Sequence, residues 1–155
     1  MKWIYAALIA IVLTACSANA STYSGEYPAA HRYLEDKGYE VLSYEGHVAS
    51  YQLTRRMLVE PPYMLAWGLQ PVNVDDYIGA QIEVDKYVVR HHPLQDDSVD
   101  VYVYQSEGRP FGGISFPHNN SSAGGGWSID GLTLEQLQPL PYPDWSAAWL
   151  AKYKN

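Results

Sequence analysis

Five histidines, two pairs of adjacent aspartates, a serine in a glycine-containing run and a single cysteine are the side chains of this 155-residue chain best suited to do chemistry. Histidines would serve as metal ligands or as bases. His91 and His92 are neighbours, so in a strand they point to opposite faces and share one metal only if Pro93 bends the chain. His31 falls in a predicted helix, and His47 and His118 in predicted loops. No HxH, HExxH or paired Cys/His spacing accompanies them, so a metal site would have to assemble from distant segments. The acids Asp75-Asp76 and Asp96-Asp97, with Asp100 nearby, invite calcium. They lack the alternating oxygen ligands, bend glycine and closing glutamate of a calcium loop. Asp75 reads instead as a helix cap, and residues 96–98 as a solvated turn. Ser115, in Gly113-Ile114-Ser115-Phe116, lacks the second glycine of a nucleophile elbow and sits in a predicted strand, with His118 three residues on. Gly124-Gly125-Gly126 has no Lys-Ser/Thr behind it and leads into a strand, which excludes a phosphate loop. No catalytic residue, metal ligand or cofactor is expected.

Cys16 is the exception, because of what precedes it. Lys2 gives a minimal positive start, and Trp3 to Leu13 form an eleven-residue apolar run. That run suits a secretion signal and is short of the roughly 20 residues of a membrane-spanning helix. Leu13-Thr14-Ala15-Cys16 then resembles the lipobox of bacterial lipoproteins, an aliphatic residue and two small ones before cysteine. The resemblance implies diacylglyceryl attachment to the Cys16 sulfur and cleavage just before it, with a further acyl chain such as palmitate. Two chains hold a membrane stably, at about 0.8 kcal/mol per buried CH₂. The boundaries that follow are a signal peptide over 1–15, a lipidated tether over 16–26 and one globular domain over 27–155. As a coil, Ser17 to Glu26 reaches roughly 17–19 Å, so the domain sits close to the bilayer. In a bacterial export context the Asn119 and Asn120 sequons carry little meaning.

Composition narrows the partners. Cys16 is the sole cysteine, so the mature domain has no disulfide and must stand on its core. The 140 residues left after cleavage are enough for one domain with a substantial core, and 14 Tyr and 5 Trp in the whole chain supply bulk. Cleavage removes Lys2 and leaves nine basic residues against seventeen acidic ones, a formal charge of −8. That charge repels phosphate backbones and anionic lipid surfaces, which argues against nucleic acid. Membrane residence then rests on the anchor at Cys16.

Patterning predicts an α+β domain: an antiparallel β-sheet with a few short helices packed on it. A first helix is expected over Tyr27–Lys37 and stopped by Gly38. A strand follows over 40–44, a turn at Glu45-Gly46 and a second strand over 50–54. Thr54 caps a helical stretch, Arg55–Trp67, that Pro61-Pro62 must break. Asp75 caps a single turn closed by Gly79. Residues 81–91 and 99–105 alternate as strands, and Glu107 to Pro110 turn into a third over 111–116. Another strand covers 126–129. Thr133-Leu134-Glu135-Gln136 has capping-box spacing. A closing C-terminal helix over 144–153, capped by Asp144, carries Trp145, Trp149 and Tyr153 at every fourth position. Such a stripe most often packs on a core; exposed, it would be an interaction surface for a partner or the bilayer.

The segments Tyr44-Glu45-Gly46-His47, Pro62-Tyr63-Met64, Trp67-Gly68-Leu69-Gln70, Tyr77-Ile78-Gly79, His92-Pro93-Leu94, Gly112-Gly113-x-Ser115-Phe116-Pro117 and Trp127-Ser128-x-Asp130-Gly131 resemble small uncharacterised lipoproteins of Gram-positive bacteria. The resemblance spans most of the mature domain and implies a location and a size, not a mechanism. The function expected is a non-catalytic binding or interaction module on the extracytoplasmic face of the cell membrane, meeting an envelope or secreted protein. The alternative is a small lipid-tethered hydrolase or ligand-binding domain. A hydrolase would need a pocket joining His91 or His92, His118 and an acid. An interaction module would show an exposed apolar patch.

Overall fold

A computed structural model describes residues 28–94, 97–118 and 126–154. Cys16 with its lipobox, the tether, Asp96, Asn119, Asn120, Gly124 and Gly125 lie outside the described residues. The architecture is α+β, a five-stranded antiparallel meander in the order β1-β2-β3-β4-β5 with short helices on both faces. The strands are β1 (Glu40–Gln52), β2 (Gln81–Arg90), β3 (Val99–Ser106), β4 (Arg109–Pro117) and β5 (Trp127–Ser128). The helices are α1 (Ala29–Asp36), α2 (Arg55–Leu58), α3 (Pro61–Gly68), α4 (Leu134–Leu137) and α5 (Tyr142–Tyr153), with a 3₁₀ turn at Val74–Tyr77.

Alternation along β2 and β3 divides the core in two. Tyr87 and Val89 pair with Val101 and Val99, and these join Val103, Ile129 and the α1 residues Ala30 and Leu34 on one face. Val84 pairs with Tyr104 on the other face, and joins Ile82, Leu53, Leu58, Trp67 and Tyr153 from the α2–α3 and α5 side. Each helical layer therefore covers one end of one face, and the two layers are diagonal across the sheet.

Several local signals act as expected. Thr54 Oγ1 accepts from the Met57 amide, and Pro61-Pro62 separate α2 from α3. Thr133 and Gln136 complete a reciprocal capping box on α4. The β3–β4 turn has Glu107 and Gly108 at φ 51° and 71°. Two left-handed central residues match the right-handed twist of a hairpin.

Other expectations are corrected. The predicted hairpin over 40–54 is one strand: the thirteen residues of β1 run beside the ten of β2. Register shifts after Val41, Tyr44 and His47 absorb Leu42, Glu45 and Val48 as bulges, so Gly46, at φ 106°, serves a bulged strand and not a turn. Asp75 does not cap the 3₁₀ turn, which begins after Asn73 without a side-chain cap; its carboxylate is 2.7 Å from Lys152 Nζ. Nor does Asp144 cap α5, which starts at Tyr142 after Pro141, with Asp144 inside the first turn. A proline at the start of a helix gives up no intrahelical bond, which moves the boundary upstream.

Candidate functional site

The aromatic stripe of α5 faces inward. Trp145 and Tyr153 are buried, and half-buried Trp149 donates from Nε1 to the Leu58 carbonyl at 2.7 Å, tying α5 to the end of α2. Rings follow one another along the helix, with centroids 5.1 Å apart for Trp145–Trp149 and 4.8 Å for Trp149–Tyr153. The stripe packs on the domain and does not form an exposed interaction surface, because its period matches the helix face turned toward α2 and α3. Gly68 allows the approach. A Cβ there would stand 2.6 Å from a Trp145 ring carbon and 2.8 Å from Leu134 Cδ1, too close for any side chain. Gln138 Nε2 donates to the Gly68 carbonyl at 2.6 Å and fixes the α4–α5 connection over the end of α3.

This packing leaves a groove on the outer side. Its walls are Leu65 and Leu69 of α3 and its exit, Gly126 and Trp127 leading into β5, Thr133 to Glu135 at the start of α4, and Tyr142 at the start of α5. It encloses about 350 Å³. Leu65 and Tyr142 are 40% and 44% exposed, and Leu132 and Leu140, adjoining α4 in sequence, are exposed as well. Large apolar side chains exposed together mark binding surfaces more often than those scattered singly. Sequence reading missed this groove, since its walls come from segments some sixty residues apart. The available signal was the recurrence of leucine and tyrosine in Leu132, Leu134, Leu140 and Tyr142.

The polar candidates are separated by the sheet. Ser115 is fully buried on the α1 side, where its Oγ donates to the Ser128 carbonyl at 2.7 Å. His118 lies on the other face, with Nδ1 2.6 Å from Asp100 Oδ1, while Lys86 Nζ reaches Asp100 Oδ2 at 3.0 Å. Ser115 pairs with Val101 and His118 holds Asp100, adjacent residues whose side chains leave β3 in opposite directions. Serine and histidine therefore cannot meet. The hydrogen bond to Asp100 also raises the Lys86 pKa above the ordinary lysine value.

His91 and His92 also diverge. His91 is in the left-handed region, φ 63°, with its side chain exposed toward Glu40. His92 is buried: Nδ1 accepts from the Leu94 amide at 3.2 Å, so Nε2 carries the hydrogen toward the Ile129 carbonyl at 3.0 Å. Tyr39 Oη donates to that same carbonyl at 2.9 Å, and burial pushes the Tyr39 hydroxyl up to about 12. Both groups hold the chain after β5 in place. His47 bridges Asp85 and Glu83 at 3.1 and 3.3 Å on the exposed part of the α1-side face, and His31 pairs with Glu35 at 3.3 Å within α1. Among the described residues no group of three His, Cys, Asp or Glu side chains is placed to hold a metal ion, and no helix is long and apolar enough to cross a membrane.

A second cleft, of about 660 Å³, opens between the 3₁₀ turn and the β3–β4 hairpin. Tyr77 and Phe111 form its aromatic wall, and Asn73, Asp76, Glu107 and Arg109 its polar rim. None of the five histidines lines either cleft.

Comparison of the chain with protein-family models, with curated proteins and with solved structures finds no match.

Proposed function

We propose that this chain is a lipoprotein, anchored through Cys16 to the outer face of the cell membrane, whose domain binds another envelope or secreted protein without catalysing a reaction. The observation that carries the binding reading is the α3–α4–α5 groove, where Leu65 and Tyr142 stand exposed beside Trp127 over a packed aromatic layer. An apolar, partly aromatic patch on a pre-formed frame is the usual composition of an interface centre. The anchor reading is supported by the lipobox that closes the apolar run of residues 3–13. The tethered-hydrolase alternative draws on the His118–Asp100 pair, which leaves Nε2 as the remaining ring nitrogen.

Metabolic labelling with an alkyne fatty acid tests the anchor. Wild type is expected to carry label and to sediment with membranes, and Cys16→Ala to lose both. Label or tight membrane association retained by Cys16→Ala would show that Cys16 is not the anchor. An ester-hydrolase activity abolished by His118→Ala would replace the binding reading with the alternative.

A further inference from the structure

The second cleft has a lining different from the apolar groove and does not depend on it. Tyr77 and Phe111 stand with ring centroids 4.2 Å apart, and Trp67 backs both at 5.9 and 5.8 Å. Trp67 is buried and packs against both half-buried rings from behind. The polar rim is exposed and paired within itself. Asn73 Nδ2 donates to Asp76 Oδ1 at 3.0 Å, and Arg109 Nη2 donates to Glu107 Oε2 at 2.6 Å. Ser106 donates its hydroxyl to the Gln81 carbonyl at 2.9 Å, which leaves its oxygen to accept. Glu107 sits in the two-residue turn, and its ion pair with Arg109 stands exposed at the mouth of the cleft.

From this lining we propose that the cleft between the 3₁₀ turn and the β3–β4 hairpin binds a neutral sugar residue. A pyranose offers an apolar face of C–H groups and a belt of hydroxyls that both donate and accept. The Tyr77–Phe111 wall suits the apolar face. Asp76, Glu107 and the Ser106 oxygen accept from hydroxyls, while Arg109 and Asn73 donate to them, and charged partners make the stronger bonds. Two carboxylates against one guanidinium leave the rim one negative charge, which disfavours phosphate or carboxylate ligands. A wholly apolar ligand would strip water from the acids without replacing their hydrogen bonds. The volume, about 660 Å³, is in the range of small-molecule sites. Holding the aromatic wall in place beforehand lowers the ordering cost of binding.

Isothermal titration of the full chain, kept in a sugar-free detergent, with maltotriose, cellotriose and chitotriose tests this, with inorganic phosphate as the anionic control. Arg109→Ala and Asp76→Ala alter exposed side chains, and unchanged thermal unfolding verifies that they leave the fold intact. At least one trisaccharide is expected to saturate with a Kd of about 1 mM or tighter. Each variant should weaken it about tenfold or more, the loss expected for one hydrogen bond to a charged group. No saturation by any trisaccharide up to roughly ten times that concentration would overturn the proposal. So would equal affinity in the variants, or phosphate binding in preference to sugar.

Discussion

One sheet is closed in two ways at its two ends. Under α1 the closure is mainly aliphatic, with Leu34, Val89, Val99, Val101 and Val103 fully buried, and its polar groups are spent on internal bonds. Ser115 holds Ser128, and His92 and Tyr39 both hold Ile129. Under α2, α3 and α5 the closure is aromatic: Trp67, Tyr77, Tyr104, Phe111, Trp149 and Tyr153 share the work, and several are only half-buried. Both clefts border this second end. Large rings cover a face without sealing its margins, whereas valines and a short helix seal it. Ser115 and His92, two residues that look like chemistry in the sequence, thus became structure at the aliphatic end, and both clefts open at the aromatic end.

That contrast can be broken by mutation. Trp67→Ala should have the largest effect, since Trp67 supports Tyr77 and Phe111, and Nε1 donates to Tyr51 Oη at 3.2 Å. A loss of about 3–5 kcal/mol in denaturant unfolding is expected for a buried tryptophan truncated to alanine. Saccharide affinity should be lost with it. Ser115→Ala is the counterpart at the aliphatic end. It removes one of two donors to the Ser128 carbonyl, which keeps the Gly131 amide at 2.9 Å, so it costs about 0.5–1.5 kcal/mol and leaves binding at both clefts unchanged below the unfolding transition. Binding lost in Ser115→Ala, with the fold intact, would show that the two ends are not functionally distinct.

The smallest effect concerns the surface pair that ties α5 to the 3₁₀ turn. Hydrogen bonding to Lys152 holds the Asp75 carboxyl below its usual range, and the same bond raises Lys152. Asp75 contributes stability that is present above its unfolded value and lost as pH falls through its lower folded value. Lys152 contributes stability that is present below its unfolded value and lost as pH rises through its higher folded value. The pair therefore acts from about pH 4 to about pH 10, and, being solvent-screened, is worth at most about 1 kcal/mol. Lys152→Met should lower the melting temperature slightly near pH 7 in low salt, with the difference fading as pH falls through the lowered Asp75 value.

What could be read from sequence was what neighbours decide. The Thr54 cap, the Pro61-Pro62 break, the Thr133 capping box and the alternation of β3 each depend on residues within four positions. β1 was misread because Gly46 fits a turn and a bulge equally well. The choice between them is made by β2, thirty-five residues away, whose register accepts the three extra residues. Asp75 is an adequate cap in isolation, and Lys152 takes it only once α5 is in place. The stripe of α5 was visible, and core packing was one of its two readings. The exposed Tyr142 on the same helix was not visible, because its partners Leu65 and Trp127 are distant in the chain.

The proposed docking of a partner on the aromatic end of the domain is open to direct test. Site-specific photocrosslinking in cells tests it most directly, with the photoreactive residue placed at Tyr142 in the groove or at Glu83 on the opposite, exposed part of the sheet. One envelope or secreted protein should be captured from position 142, be absent from position 83, and be lost when Cys16→Ala removes the anchor. The same capture from both positions, or none from position 142 in the membrane-bound protein, would contradict it.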